Sequence, residues 1–332
     1  MIKKLLTTAA ITAMMAVSAV AADNKPAIVF DIGGKFDKSF NESMFNGAEQ
    51  FKKESGIQYG EFEIANEAQR EQAIRNFADK GYSPIIAAGF AQEEAVKKVA
   101  AEYPDLKFAI VDDVVDLPNV QSLVFKEHEG SYLVGMMAGM ASKSGKVGFV
   151  GGMDIPLIHK FACGYVQGVK AARPDAVVFQ NMTGDTGAAW NDPVKGGEIT
   201  KGQMAQGADV VYAAAGATGL GVLQAAADGG ALSIGVDANQ NYLHPGKVLT
   251  SMMKRVDVAV YNAMKSGMDG TFKPGVQSLG LAESGVAYAM DDNNKALITG
   301  DMQAKVEAAK ADIISGKLKV HDYMEDNKCP VE

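Results

Sequence analysis

The sequence predicts an α/β protein built as two doubly wound parallel sheets joined by a three-segment hinge. Three observations carry that prediction. Short apolar runs alternate with amphipathic stretches along almost all of the 332 residues, the pattern of strand–helix–strand crossovers. The alternation starts afresh after Phe125, which makes two halves of similar build. Beyond Asp237 it loosens into segments suited to a chain that passes back between two lobes.

In the first half, residues 27–30, 62–65, 85–88 and 108–111 read as buried parallel strands. Helical patterns occupy 40–53, 67–80 and 92–101, and Gly81-Tyr82-Ser83-Pro84 and Tyr103-Pro104-Asp105 mark the returns. Residues 120–125 close this half. The second half opens with a helix over 127–142 rich in Gly, Ala and Met. Strands at 147–150, 176–179, 210–214 and 233–236 then alternate with helices near 157–172, 193–205 and 219–227. A connecting strand at 248–253, a helix at 256–268, a glycine-containing extended stretch at 278–289 and a helix at 302–314 complete the chain. These segments divide it into a first lobe of 23–125 plus about 252–275 and a second of 126–251 plus about 276–332. The two halves suggest a duplicated architecture, although no sequence repeat stands out to prove it.

Residues 1–22 read as a targeting segment. Lys3 and Lys4 form a positive start, an apolar stretch follows, and Ala19-Val20-Ala21 fits cleavage near Ala21/Ala22. No cysteine follows that site, so the expectation is an exported, periplasmic protein without a lipid anchor, and a monomer. The formal charge of −8, about −10 without the two lysines, argues against a nucleic-acid partner, because phosphate binding needs concentrated positive charge. Cys163 and Cys329 either pair in an oxidising compartment or remain as two thiols.

The stretch DIGGKFDKSFNESMFNG, from Asp31 to Gly47, carries a strand end, a polar loop and a helix start, the place where ligands bind in open α/β sheets. Its glycines lack the third position of a dinucleotide fingerprint, and no phosphate loop of the G-x-x-x-x-G-K-[ST] type exists. The four histidines show no metal-ligand spacing and there is no G-x-S-x-G elbow, so neither cofactor nor metal is expected. Gly216-Ala217-Thr218-Gly219-Leu220-Gly221 follows a strand and opens a helix; it fits either a ligand oxygen or tight strand-to-helix packing. Asp31, Asp112 and Asp237 each close an apolar strand, in VFD, AIVD and IGVD. One such acid is ordinary capping, but three at comparable ends can accept hydrogen bonds from ligand hydroxyls or N–H groups. Phe40 and Trp190, one in each half, fit a stacking platform for a planar ring, or helix-start staples packed into their own lobes.

Together with DIGGKFDKSFNESMFNG, the segments EGSYLVGMMAGM, KVGFVGGMDIP, FACGYVQGVKA, IGVDANQ and TSMMKRVDVAVYNAM resemble the basic membrane protein family of bacterial substrate-binding proteins. The likeness runs from about Pro26 to about Leu318. Its best understood members are purine nucleoside receptors of ABC importers. The resemblance implies the two-lobed periplasmic-binding type I fold, with an inner-membrane permease as partner. It also implies that Phe40 stacks on the base and Asn41 hydrogen-bonds it, that Asp112 faces the base and that Asp31 lines the same pocket. Trp190, where relatives often carry phenylalanine, would complete an aromatic sandwich; Gly216 and Asp237 would hold ribose hydroxyls, and Lys254 would reach in from the hinge. The missing lipobox departs from many relatives.

The expected function is a nucleoside-binding component of an importer, closing on its ligand, and not an enzyme. One alternative keeps the class and changes the ligand to riboflavin, another heterocycle or a sugar. A second is an exported nucleoside hydrolase, which needs clustered acids where this chain has them singly.

Overall fold

A computed structural model describes residues 25–331, so the targeting segment and its cleavage site lie outside the described residues. The first half runs β1 (Ala27–Phe30), α1 (Phe40–Ser55), β2 (Gly60–Glu63), α2 (Arg70–Asp79), β3 (Ile85–Ala87), α3 (Glu93–Glu102), β4 (Phe108–Val111) and β5 (Val120–Phe125). The second runs α4 (Glu127–Ala141), β6 (Lys146–Met153), α5 (Pro156–Ala172), β7 (Val177–Gly184), α6 (Pro193–Ala205), β8 (Val210–Ala214), α7 (Thr218–Asp228) and β9 (Leu232–Asp237). The chain ends with β10 (Val248–Lys254), α8 (Val256–Asp269), β11 (Gly275–Leu279), β12 (Val286–Tyr288) and α9 (Gly300–Ile314).

Two six-stranded sheets result, in the orders β11-β5-β4-β3-β1-β2 and β12-β10-β9-β8-β6-β7. Every pairing is parallel except β10 with β12. Central strands β1, β3 and β4 are buried at every residue, as unbroken apolar runs require when helices cover both faces. β2 differs from the expected buried strand: it is the sheet edge, lies at 60–63 and is largely exposed. β7 is likewise a half-exposed edge and extends five residues beyond the expected end at 179, to Gly184.

The two sheets repeat one order, and the repeat reaches individual residues. β3 and β8 occupy the same place, and each is followed by a left-handed glycine, in Ala87-Ala88-Gly89 and Ala214-Ala215-Gly216. β4 and β9 also correspond, and end in Val111-Asp112 and Val236-Asp237. The sequence suggests this duplicated architecture, but segments this short with few identities do not show which residues correspond.

The chain crosses between sheets at Lys126, at Arg255, and between Leu279 and Val286. These crossings move one boundary. β11 pairs with β5, Leu279 opposite Phe125, so residues 276–279 belong with the first sheet rather than the second lobe. The extended stretch expected at 278–289 is two strands of different sheets, because β12 pairs with β10. Helix α8 returns to pack on α1 so closely that a Cβ on Gly47 would lie 2.1 Å from the Asp257 carbonyl oxygen. The first crossing back falls after Lys254, close to the expected position of about 252.

Glycines also set the contact between α4 and α5. A Cβ on Gly135 would lie 2.2 Å from the Tyr165 carbonyl oxygen, and one on Gly168 2.0 Å from that of Tyr132. Backbone cannot give way as a flexible side chain can. Gly135→Ala is therefore expected to destabilise the protein by about 1–3 kcal/mol, the usual cost of overpacking, seen as a lower urea midpoint at unchanged slope. Cys163 on α5 is joined to Cys329, with Cα atoms 5.5 Å apart.

Candidate functional site

Asp31, Phe40, Asn41 and Asp112 from the first half, and Trp190, Gly216, Asp237 and Lys254 from the second, all line one cleft between the sheets. The strand C-terminal ends of both sheets point at it, which is why acids closing apolar strands meet there.

The loop after β1 is held by Asp37. Its carboxylate accepts from the backbone N–H groups of Ser39 (2.8 Å), Asn41 (3.0 Å) and Glu42 (3.1 Å), capping the start of α1. Burial pushes Asp37 up to about 6 against the pull of those three donors. Ser39 and Glu42 have the spacing of a capping box, yet Ser39 makes no cap; its hydroxyl donates across the cleft to Asp237. Gln240 Nε2 donates 2.9 Å to the Lys38 carbonyl, a second bond between the lobes. These two bonds span the cleft.

Asn41 lines the cavity, but its side chain is engaged within the loop. Its Oδ1 accepts from Asp31 N at 3.1 Å, and its Nδ2 reaches the Asp31 carbonyl at 3.4 Å and Asp37 Oδ2 at 3.3 Å. A free amide facing a base is thus not what the geometry holds. Asp31 pairs with Arg70 Nη2 at 3.2 Å, and burial raises its pKa although Arg70 opposes the rise.

Asp112 and Asp237 correspond between sheets and share an unusual backbone, with φ of 71° and 63° in the left-handed region. Such conformations cost about 1–3 kcal/mol for a residue with a side chain and concentrate at ligand sites. Burial pushes both carboxyls up to about 6 even though Lys254 pulls them down. Lys254 is 2% exposed, with Nζ 2.6 Å from Asp112 Oδ1 and 3.0 Å from Glu127 Oε1. Despite burial, these acids raise its pKa and hold it charged. Its ammonium also lies 5.3, 5.1 and 5.6 Å from the ring centroids of Phe40, Phe125 and Phe161. A cation among rings and acids is stabilised from both sides.

Trp190 ends a short 3₁₀ turn, and its ring lies on Gly152, where a Cβ would come 2.2 Å from Cζ3. Gly216 faces the cavity at φ 56°, whereas Gly221 is a packing glycine, 1.7 Å from the Pro193 carbonyl if given a Cβ. The packing reading of that glycine run applies to Gly221.

Sequence reasoning missed Asp37, Arg70, Glu127, Gly89, Phe90 and Phe161. The Asp37-x-Ser39-x-Asn41 spacing carries a turn signal for the first. Nothing local marks Glu127, an ordinary first-turn acid of α4 that is fully buried.

Comparisons with known proteins agree with this architecture. Residues 25–323 match the family model Bmp, described as ABC transporter substrate-binding protein PnrA-like. An uncharacterised lipoprotein of Pyrococcus abyssi is 37% identical, over 80% of this chain and 68% of that protein. A Lactococcus lactis protein named as an ABC transporter nucleoside-binding protein, BmpA, is 34% identical over 91% of this chain and 90% of its own. A solved ABC transporter solute-binding protein of Aeropyrum pernix superposes with a TM-score of 0.82 at 30% identity, covering 89% of this chain and 92% of that one. The fold is the type I periplasmic-binding fold, and the chain belongs to the Bmp family of ABC transporter substrate-binding proteins.

Proposed function

We propose that this substrate-binding protein takes up a purine nucleoside in the cleft, works as an exported monomer in the periplasm and hands its ligand to an inner-membrane permease. One observation carries the nucleoside reading. The cavity combines aromatic side chains from opposite lobes, Phe40 and Trp190, with the strand-end acids Asp31, Asp112 and Asp237. Flat rings suit a base, and carboxylates suit a diol and ring N–H groups. Asn41 supports the site by holding the Asp31 loop, and Lys254 by balancing Asp112. The name of the Lactococcus relative points to the same ligand class. The Pyrococcus relative is named a lipoprotein, so family membership alone does not favour an unanchored form. The Cys163–Cys329 bond suits an oxidising compartment. Closure driven by ligand contacts would present a new surface to the permease.

Trp190 is the sole tryptophan, so its fluorescence reports on the cleft. Inosine, guanosine or adenosine is expected to change it saturably; a response only to a flavin or a pentose would replace the nucleoside reading. Affinity should also depend on acidity. Burial pushes Asp112 and Asp237 up to about 6, and a ligand donating to them favours their ionised form. Affinity should therefore fall as pH drops from roughly 7 to 5. For the empty protein the sign is reversed. Native carboxyls at about 6 bind more protons than unfolded ones at 3.8, so their contribution to stability declines as pH rises through that window.

A further inference from the structure

Lys254 is the front member of a longer row of buried charges. Glu127 meets Lys254 with Oε1 at 3.0 Å, and its other oxygen, Oε2, lies 3.1 Å from Lys160 Nζ on α5. Lys160 also donates 2.7 Å to the carbonyl of Phe125, where β5 meets the hinge, and lies 3.4 Å from Asp322 Oδ2. Glu127 is fully buried and Lys160 is 8% exposed. Burial pushes Glu127 up, but Lys254 and Lys160 together outweigh it and keep the carboxyl below its ordinary value.

Asp322 belongs to neither sheet. It lies in the C-terminal segment, tied to α5 by Cys163–Cys329, by the stack of His159 on Tyr323 at 5.1 Å, and by Gln167, which accepts from His321 N at 2.9 Å and donates to its carbonyl at 3.0 Å. His128 Nδ1 is 3.5 Å from the same Asp322 oxygen. Burial pushes that imidazole down to about 4, so it adds no charge at neutral pH. The row therefore reads Asp322, Lys160, Glu127, Lys254, Asp112, alternating in sign from the tethered segment to the cleft wall.

We propose that Asp322 is a positioning residue for the cleft: by holding Lys160 it divides Glu127 between two lysines and so sets how firmly Lys254 grips Asp112. The consequence for ligand binding rests on the reading of the cleft given above, but the relay itself does not. Asp112 is faced by Lys254 from β10, Glu127 from α4 and Asp237 from β9. Lys160 is faced by Glu127 and Asp322, with Lys126 and His128 as further charged or titratable neighbours of that corner. Without the Asp322 charge, Lys160 turns wholly to Glu127. Glu127 then draws less on Lys254, and Lys254 favours ionised Asp112 more strongly.

The test is carboxyl carbon NMR of the disulfide-bonded, ligand-free protein, with the Asp112 signal assigned by its loss in Asp112→Asn. Asp322→Asn keeps side-chain shape at a partly exposed position, and is expected to lower the Asp112 midpoint by about half a pH unit. In a Glu127→Gln background the same change should leave it in place. An unmoved midpoint in Asp322→Asn overturns the proposal, and so does an equal shift in both backgrounds, which would mean direct action through space. Calorimetry with inosine supplies the second arm: the pH at which affinity falls should move with the Asp112 midpoint. Wild-type protein that binds no inosine removes the nucleoside reading and leaves the NMR result to judge the relay.

Discussion

Replacing Lys254 by methionine is expected to remove about 3–5 kcal/mol of stability at neutral pH, the cost of stranding buried charges by taking away their partner. Methionine keeps the length and the apolar stem that lies among Phe40, Phe125 and Phe161, so packing is largely conserved and the charge is what changes. Asp112 and Glu127 would then face each other without a cation between them, Glu127 retaining only Lys160. Loss of the ammonium raises both midpoints, that of Asp112 further above its ordinary value and that of Glu127 from below it. Native protein then holds more protons than unfolded protein over a wider range, so the deficit against wild type should narrow as pH falls from roughly 8 to 5. Urea unfolding at several pH values measures this. A loss below about 1 kcal/mol at neutral pH would show that the acids are solvated rather than stranded.

The second large effect is on affinity. Phe40→Ala and Trp190→Ala are each expected to weaken nucleoside binding tenfold or more, since a base–aromatic stack contributes about 1–3 kcal/mol and 1.4 kcal/mol is a factor of ten. Together they should abolish detectable binding. Calorimetry is the required measurement, because Trp190→Ala removes the fluorophore. Trp190 also packs on Gly152, so its truncation leaves a gap within its own lobe. Trp190→Phe separates the two roles by keeping a stacking face in a smaller ring, and should retain affinity within about tenfold. Full affinity in Trp190→Ala would make that residue a staple of the second lobe and leave the ring contact to Phe40.

Elements with strong local patterns are legible in the sequence alone. The unbroken apolar runs of β1, β3 and β4, the helical period of α1 and the Pro starts of α5 and α6 needed nothing beyond neighbouring residues. Edge strands β2 and β7 were misjudged because exposure removes the continuous apolar run that marks a central strand. The hinge strands β11 and β12 were fused into one stretch; with five and three residues, they lack the length to show a period. Asn41 lines the cavity, and its amide bonds within the loop are a detail that no local pattern announces.

By itself the sequence determined the alternating α/β plan, the family likeness and the acids and rings at strand ends that line the cavity. Each is written in windows of about ten residues, where periodicity and turn chemistry act. Tertiary structure alone decided that Ser39 leaves its own helix for Asp237, that Arg70 serves Asp31, that Cys163 meets Cys329, and that Glu127 stands between two lysines. These pairings join residues far apart in the chain. Coulomb forces and burial depend on distance in space, which the crossings of the hinge set.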